Sequence, residues 1–361
     1  METLNAFNQI KKAIEEKGIY EREKELKALF IAYINEINAI LVGEPGLAKT
    51  QLIIEFTKLI GKKVFTYQLN KFTEYSELFG YFDIKKFQEG ILERIIKMQD
   101  ADIIYFDEIF KANSAIMNSL LSLLRERKIF DGYKEYKFEN LKTILGSTNY
   151  IQKRDSENEA FIDRFIIQVK VNKISKETIL KAVEKQTNQQ NNQNSTTEKE
   201  EKITFNEEKI KEEINKEIKE LIKSQEFRNL YNKFIDSARM HSSISDRTLI
   251  TLPKIIATLR LLQPNSSIEE ILYETINSFT VENEKIFNFL IKPEITELKT
   301  RLKEIFRKGE NTQKKIETIF EIENKIKELK ETKKLNSIEK KVIENEIEPL
   351  INSFKTETKI L

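Results

Sequence analysis

The chain of 361 residues has no cysteine and a single histidine, His241. The first absence excludes disulfides and thiolate zinc sites, and the second leaves no histidine-based triad and no His-rich metal centre. Catalysis, if there is any, rests on carboxylates, Lys, Arg and hydroxyls. A strong charge of one sign is also missing. Lys and Arg number 61 against 59 Asp and Glu, so no global field points to nucleic acid or a membrane surface. No apolar run reaches the roughly 18 residues needed to span a bilayer. The N-terminus, "METLNAFNQIKKAIEEKGIYEREKELKALF", mixes acidic and basic residues and lacks the apolar stretch of a signal peptide, so a cytoplasmic location is expected. What is present is an apolar share of 39% on a length that accommodates two cores.

The first half alternates short apolar runs rich in β-branched residues with helical patterns. "NAILV" (38–42), "KKVFTYQL" (62–69), "ADIIYF" (101–106), "LKTILGST" (141–148) and "RFIIQVKV" (164–171) predict five strands. Helices are predicted between them over Lys49–Ile60, around Ser76 and over Ser114–Arg127. Such alternation implies an α/β fold, a mostly parallel sheet between helices, whose ligands sit at the carboxyl ends of strands. After Ile174 strand signals fade. Helices are predicted near 206–223, 226–240, 245–262 and 267–279. "QTNQQNNQNSTTEKEEK" (186–202) has too little apolar surface to offset its ordering entropy and is predicted to be a disordered insertion. Apolar residues at Ile316, Ile319, Ile322, Ile326 and Leu329, then at Leu335, Ile338, Val342, Ile347, Leu350 and Phe354, predict an antiparallel helical hairpin reversing around 331–337.

"ILVGEPGLAKT" (41–51) carries the first chemistry. It matches the phosphate-loop pattern G-x-x-x-x-G-K-[ST] at Gly43, Lys49 and Thr50, with Ala48 in place of the second glycine. Such a loop turns backbone N–H groups and a helix N-terminus toward an anion, while the lysine reaches the terminal phosphates and the hydroxyl holds Mg²⁺. The expected nucleotide-binding set is therefore Gly43, Glu44, Pro45, Gly46, Leu47, Ala48, Lys49, Thr50 and Gln51. Ala48 is expected to open the helix in right-handed geometry, where alanine is favoured over glycine. "IIYFDEIFKA" (103–112) is an apolar strand ending in two acids. Asp107 is placed to hold the metal and Glu108 to polarise an attacking water, with two plain surface acids as the competing reading. In "GSTN" (146–149), Asn149 can orient that water against the γ-phosphate or merely cap a turn.

"GIYERE" (18–23), "GEPGLAKT" (43–50), "ELFGYFDI" (77–84), "DEIFKANSAIMNSLLSLLRERKIFDG" (107–132), "STN" (147–149) and "FIDRF" (161–165) together resemble the MoxR-type AAA+ ATPases, especially their RavA branch. An alanine before the lysine is usual in that family. The resemblance covers roughly residues 10–270 and implies an AAA+ module over 1–172 with a helical lid over 173–285; the C-terminal hairpin over 286–361 rests on the apolar period alone. It implies ATP and Mg²⁺ as cofactors, Glu108 as the catalytic carboxylate, and Tyr20 and its flanks near the adenine. Arg164 matches the arginine finger that enters a neighbouring subunit's site, and Arg247 in "SISDRTL" the lid's sensor arginine; taken singly, either reads as a surface ion pair. Arg125 and Arg127 fall near the implied subunit seam with nothing to separate their roles. "GYFDIKKFQEGILER" (80–94) and "RKIFDGYKEYKFEN" (127–140) match family insertions facing the pore or the surface. The second reads as a hairpin about Asp131-Gly132 with Ile129 and Phe130 facing Tyr136 and Phe138. His241 reads as an incidental exposed residue.

The function so implied is hydrolysis of ATP in an oligomeric, usually hexameric, ring that remodels a protein client, often a von Willebrand A-domain partner. Two alternatives are a nucleic-acid-linked motor, disfavoured by the near-neutral charge, and a nucleotide-gated scaffold, disfavoured by the intact Asp107–Glu108 pair.

Overall fold

The computed structural model describes residues 1–132, 134–150, 160–190, 202–241, 244–279, 291–307, 312–332 and 335–358. They form two compact units, the first comprising Met1–Lys223, Ser245–Pro264 and Asn277–Val281, the second Ser224–Ile244, Asn265–Ile276 and Glu282–Leu361. The grouping cuts the chain along other lines than the three segments expected from the sequence.

In the first unit, helices α1 (Glu2–Glu16) and α2 (Glu23–Asn35) lead into β1 (Ala39–Val42), α3 (Lys49–Leu59), β2 (Val64–Gln68) and α4 (Tyr75–Phe79). A ribbon of β3 (Tyr81–Phe82), the short helix α5 (Ile84–Gln88) and β4 (Arg94–Ile95) precedes β5 (Ile103–Asp107) and α6 (Ser114–Glu126). The hairpin β6 (Lys128–Asp131) and β7 (Lys134–Lys137) is followed by β8 (Thr143–Thr148) and β9 (Ile167–Lys170). Five of these strands make one parallel sheet in the order β2-β5-β8-β1-β9, the α/β architecture that the alternating pattern implies. Ile103, Ile104, Tyr105 and Phe106 are all buried, as expected of a parallel strand covered on both faces. Val42 lies opposite Thr148, and Gln68 opposite Asp107, so the carboxyl ends of adjacent strands share one edge.

Three more helices, Lys176–Gln190, Glu207–Lys223 and Asp246–Leu262, complete this unit. Residues 186–190, expected in the polar insertion, continue the first of them; 191–201 lie outside the described residues. The second is tied down at its start. Glu207 accepts from the Tyr33 hydroxyl at 2.6 Å, pairs with Lys62 at 2.7 Å and with Lys142. Burial pushes this carboxyl upward, but the three partners outweigh it and hold its pKa at about 2. Glu213 in the same helix accepts from the backbone N–H groups of Glu2 and Thr3 at 2.9 and 3.1 Å, capping α1, whose own Met1 provides no side-chain cap.

Arg94 joins the two insertions. Its guanidinium donates to Gly80 O at 2.7 Å, pairs with Asp131 and lies 4.0 Å from the Phe82 ring centre, while its backbone N–H donates to the Tyr136 hydroxyl at 2.8 Å. Gly80, at φ +75°, admits no side chain: a Cβ there would sit 1.9 Å from Ile95 O. In the hairpin Ile129 pairs with Tyr136 as expected, but Phe130 stands opposite Glu135 and is 55% exposed. The correction follows from strand alternation, which sends neighbours Ile129 and Phe130 to opposite faces.

The second unit is helical over its described residues: Gln225–His241, Ile268–Phe279 up to the unit boundary, Pro293–Arg307, Thr312–Glu331, and the run Ser337–Val342, Ile343–Ile347 and Glu348–Thr358. Ion pairs Lys330–Glu348 and Lys355–Glu323, both at 2.7 Å, set the last helix antiparallel to Thr312–Glu331 as expected, and Asn336 and Glu339 form a capping box at the start of Ser337–Val342. Ile343–Ile347 is a π-helical turn that takes up the five-residue gap between Val342 and Ile347. Beyond it Ile351 is buried and Leu350 only half-buried, which corrects one position of the expected series; Ile347 and Phe354 are buried as expected.

Candidate active site

Three neighbouring strands converge on one edge of the sheet. The loop Gly43–Thr50 follows β1, Asp107 ends β5 with Glu108 next, and Asn149 follows β8, which lies between them. Gly43 packs so closely that a Cβ would meet Val171 O at 2.8 Å. The loop then curls through two left-handed residues, Gly46 at φ +82° and Ala48 at φ 58° and ψ 22°. The right-handed geometry expected for Ala48 is thus not adopted. The loop must reverse before α3 begins, and the general pattern places a glycine at this position for that reason.

Lys49 is 8% exposed, and all its hydrogen bonds go to neutral oxygens: Gly43 O at 2.6 Å, Glu44 O at 2.9 Å and Asn149 Oδ1 at 3.3 Å. Burial lowers its pKa, with Glu108 and Asp107 opposing the shift. A buried ammonium held by carbonyls alone, at the start of a helix, suits an anion. Thr50 donates to Asp107 Oδ2 at 3.3 Å, and these two hard oxygens suit Mg²⁺, which keeps several waters and shares substrate phosphates. Among the described residues no larger cluster of His, Asp and Glu competes as a metal site.

Glu108 has left-handed backbone geometry, φ 53° and ψ 44°. Its N–H donates to Asp107 Oδ1 at 3.0 Å, and its carboxylate accepts from Asn149 Nδ2 at 2.7 Å and pairs with Lys111 at 3.4 Å. Asn149 therefore bridges Lys49 to Glu108, the polar contact that its isolated position in the sequence left open. Three participants were not anticipated: Lys111, Tyr105 and Ser147. Tyr105 and Ser147 are both fully buried beneath Thr50 and Asp107. Burial pushes the Tyr105 phenol up to about 12.

Of the remaining predicted residues, Glu44 joins this group through its backbone O alone. Glu44, Pro45 and Gly46 are exposed, and Glu44 pairs with Lys173 at 2.8 Å. Leu47 is half-buried and Gln51 exposed in the first turn of α3. Tyr20 is half-buried in the bend between α1 and α2. Next to it Glu21, at φ 53°, accepts from the backbone N–H and hydroxyl of Ser175 at 2.6 and 2.5 Å, so this bend is fixed to the start of the Lys176–Gln190 helix. These bonds hold the Glu21 carboxyl at about 2.

Arg164 and Arg247 come together on a shared carboxylate, Asp163, at 3.8 and 3.7 Å. Arg164 also donates to Ala160 O at 2.7 Å, and burial followed by the neighbouring Arg247 charge lowers its pKa. The structure also separates Arg125 from Arg127. Arg127 donates to Leu124 O, Glu36 O and Lys142 O at 3.3, 3.4 and 3.2 Å, tying helix ends to β8, and burial pushes its pKa down to about 10. Arg125 is exposed beside Glu126.

Residues 5–213, more than half of the chain, match the family described as "MoxR domain in the MoxR-vWA-beta-propeller ternary systems". Two uncharacterized proteins of Methanocaldococcus jannaschii are each 32% identical, over 169 and 166 residues, which is 45% and 44% of this chain and 43% of each relative. A structural protein of Acidianus two-tailed virus is 29% identical over 160 residues, 42% of this chain and 26% of that protein. The chain thus matches less than half the length of these relatives. A crystal structure of a candidate ATPase from Cytophaga hutchinsonii shares the fold with a TM-score of 0.54 at 20% identity, covering 78% of this chain and 90% of that one.

Proposed function

The chain belongs to the MoxR family of AAA+ ATPases, and on that premise we propose that it binds ATP with Mg²⁺ at the Gly43–Thr50 loop and hydrolyses it. The observation that carries the reading is the continuous link from Lys49 through Asn149 to Glu108, beside the Thr50–Asp107 pair. Lys49, held now by two backbone carbonyls, is released toward the terminal phosphates when an anion replaces them. Thr50 and Asp107 hold the metal, which when bound supplies charge neutralisation at the phosphates. Glu108 accepts the proton of the attacking water. Asn149 holds the Glu108 carboxylate in place and offers the water its second contact.

Tyr20 lies near the adenine in this reading. Arg164 acts as the finger in a neighbouring subunit's site and Arg247 as the sensor of the γ-phosphate, so hydrolysis requires an oligomeric ring. The work done is remodelling of a protein client. Two observations support a protein partner: the matching family is described from systems that pair MoxR with vWA and β-propeller components, and the ribbon over residues 81–95 exposes Tyr81, Ile84, Phe87 and Ile95 by 60% or more. A RavA-like placement and a cytoplasmic location belong to this proposal; among the described residues, no helix is long and apolar enough to cross a membrane.

The test is steady-state phosphate release by the wild-type chain and by Glu108→Gln. The variant should bind ATP as tightly as wild type, with turnover reduced about 10²–10⁴-fold. Equal turnover in the two proteins removes Glu108 from its role.

A further inference from the structure

Below the two proposed metal oxygens lies a closed ring of side chains. Asp107 Oδ2 accepts from Thr50 Oγ1 at 3.3 Å, and Asp107 Oδ1 accepts from Ser147 Oγ. The Tyr105 hydroxyl completes the ring, 3.1 Å from Thr50 Oγ1 and 2.9 Å from Ser147 Oγ. Three elements meet here: the first turn of α3, the end of β5 and the end of β8. Tyr105 stands two residues before Asp107 on the same strand, and a period of two puts both on one face. A phenol at 0% exposure needs a polar partner, and this one has two.

Counting protons gives the ring a direction. Thr50 and Ser147 have one hydroxyl proton each, and both go to the Asp107 carboxylate. Tyr105 has one to give, and either neighbour can accept it. With Tyr105 donating to Thr50, every proton is used and the Thr50 hydroxyl is oriented. With Tyr105 donating to Ser147 instead, Thr50 keeps both of its lone pairs, one of them for a cation, and the Ser147–Asp107 bond is retained. One buried proton can thus serve the ring with or without metal, at no cost in unsatisfied donors.

We propose that Tyr105 and Ser147 are positioning residues for Mg²⁺, a buried hydroxyl pair that fixes Thr50 and Asp107 in metal-binding geometry. The inference rests on the reading of Thr50 and Asp107 as the metal site. Partners of this kind are typically worth about 10–100-fold in metal affinity.

The experiment measures ADP binding to the full chain by calorimetry, at a series of Mg²⁺ concentrations and in EDTA, so that no turnover enters the readout. Tyr105→Phe and Ser147→Ala should each raise the Mg²⁺ concentration at half-maximal effect about tenfold, and leave ADP affinity in EDTA unchanged. The double variant should fall well short of the product of the two, since both act on one ring. Ser147→Thr, which keeps the hydroxyl, should restore the wild-type midpoint. ADP binding in EDTA verifies that each variant is folded, and Ser147→Ala tests the ring even where Tyr105→Phe does not fold. Wild-type midpoints in Tyr105→Phe and Ser147→Ala, with Thr50→Ala losing its Mg²⁺ dependence, would overturn this inference alone. A wild-type chain indifferent to Mg²⁺ would overturn it together with the metal reading beneath it.

Discussion

Replacing Ala48 with glycine gives opposite outcomes for two readings of the phosphate loop. In the structure Ala48 adopts φ 58° and ψ 22°. For a residue bearing a Cβ, that left-handed geometry costs about 1–2 kcal/mol, which glycine does not incur. Glycine also frees the unfolded chain, which offsets about 0.4–1 kcal/mol of the gain. Ala48→Gly should therefore raise stability by about 0.8 kcal/mol, within a range of about 0–1.6 kcal/mol. Were Ala48 the first right-handed residue of α3, as its sequence context suggests, the same change would lower stability by about 1 kcal/mol. Urea unfolding of the full chain without nucleotide separates the two, with the shift in midpoint multiplied by a common slope giving the difference. Gly46→Ala is the matched control. Its φ is +82° and no atom lies within 4 Å of the added Cβ, so only backbone strain is measured, and stability should fall by more than about 0.4–1 kcal/mol. A loss on Ala48→Gly comparable to that of the control refutes the left-handed loop.

Two further predictions address other parts of the first unit. Glu207→Gln should destabilise the chain by about 1–3 kcal/mol at neutral pH through loss of charged hydrogen bonds to Lys142, Lys62 and Tyr33. Because the folded pKa of Glu207 is depressed to about 2, its contribution is complete above the unfolded pKa near 4.5 and is lost as pH falls toward 2. The gap between wild type and variant in acid unfolding should close over that window, and a gap independent of pH would contradict the assignment. Arg164→Ala should reduce turnover about 10³–10⁵-fold with little change in ATP affinity. Mixing it with Glu108→Gln subunits should restore part of the activity, whereas no recovery despite proven subunit exchange would return Arg164 to a local ion pair.

The parallel sheet was legible because its strands are buried on both faces and appear as continuous apolar runs; observed strand ends fall within three residues of those runs. Most helices after residue 200 were legible from their period, but Pro293–Arg307 was not anticipated. Less legible were features set by local backbone geometry or long-range contact. A π-helical turn over Ile343–Ile347 left only a five-residue gap in the apolar series as its trace in the sequence, and Ile351 rather than Leu350 is the buried residue between Ile347 and Phe354. In the site, Lys49, Thr50, Asp107 and Glu108 stood out because a phosphate loop and an acidic strand end have fixed spacing. Tyr105 did not, since one tyrosine in "IIYFDE" looks like another core aromatic until β8 brings Ser147 beside it. Nor could the sequence distinguish Arg127 from Arg125, because the carbonyls that Arg127 bonds come from residues 36, 124 and 142.

Backbone strain gives a separate indication of where the fold is committed. Among the described residues, five non-glycine residues have positive φ: Glu21, Glu36, Ala48, Glu108 and Arg127. Glu36 and Arg127 are the C-caps of α2 and α6, where a left-handed residue is ordinary. The other three end no helix. Such conformations cost about 1–3 kcal/mol each and persist where surrounding contacts over-determine them. Ala48 and Glu108 flank the proposed phosphate and water positions, and Glu21 adjoins Tyr20. At Glu108 the determining contacts can be named: its own N–H on Asp107, Asn149 on one carboxylate oxygen, and Lys111 beside it. The left-handed turn directs the two consecutive acids to different tasks, with Asp107 facing Thr50 and Ser147 and Glu108 facing Asn149. An extended backbone would also send neighbouring side chains apart, but to opposite faces of the sheet. The turn instead keeps both carboxylates at the carboxyl edge, which is what a metal ligand and a water-activating base need if they are to act on one phosphate.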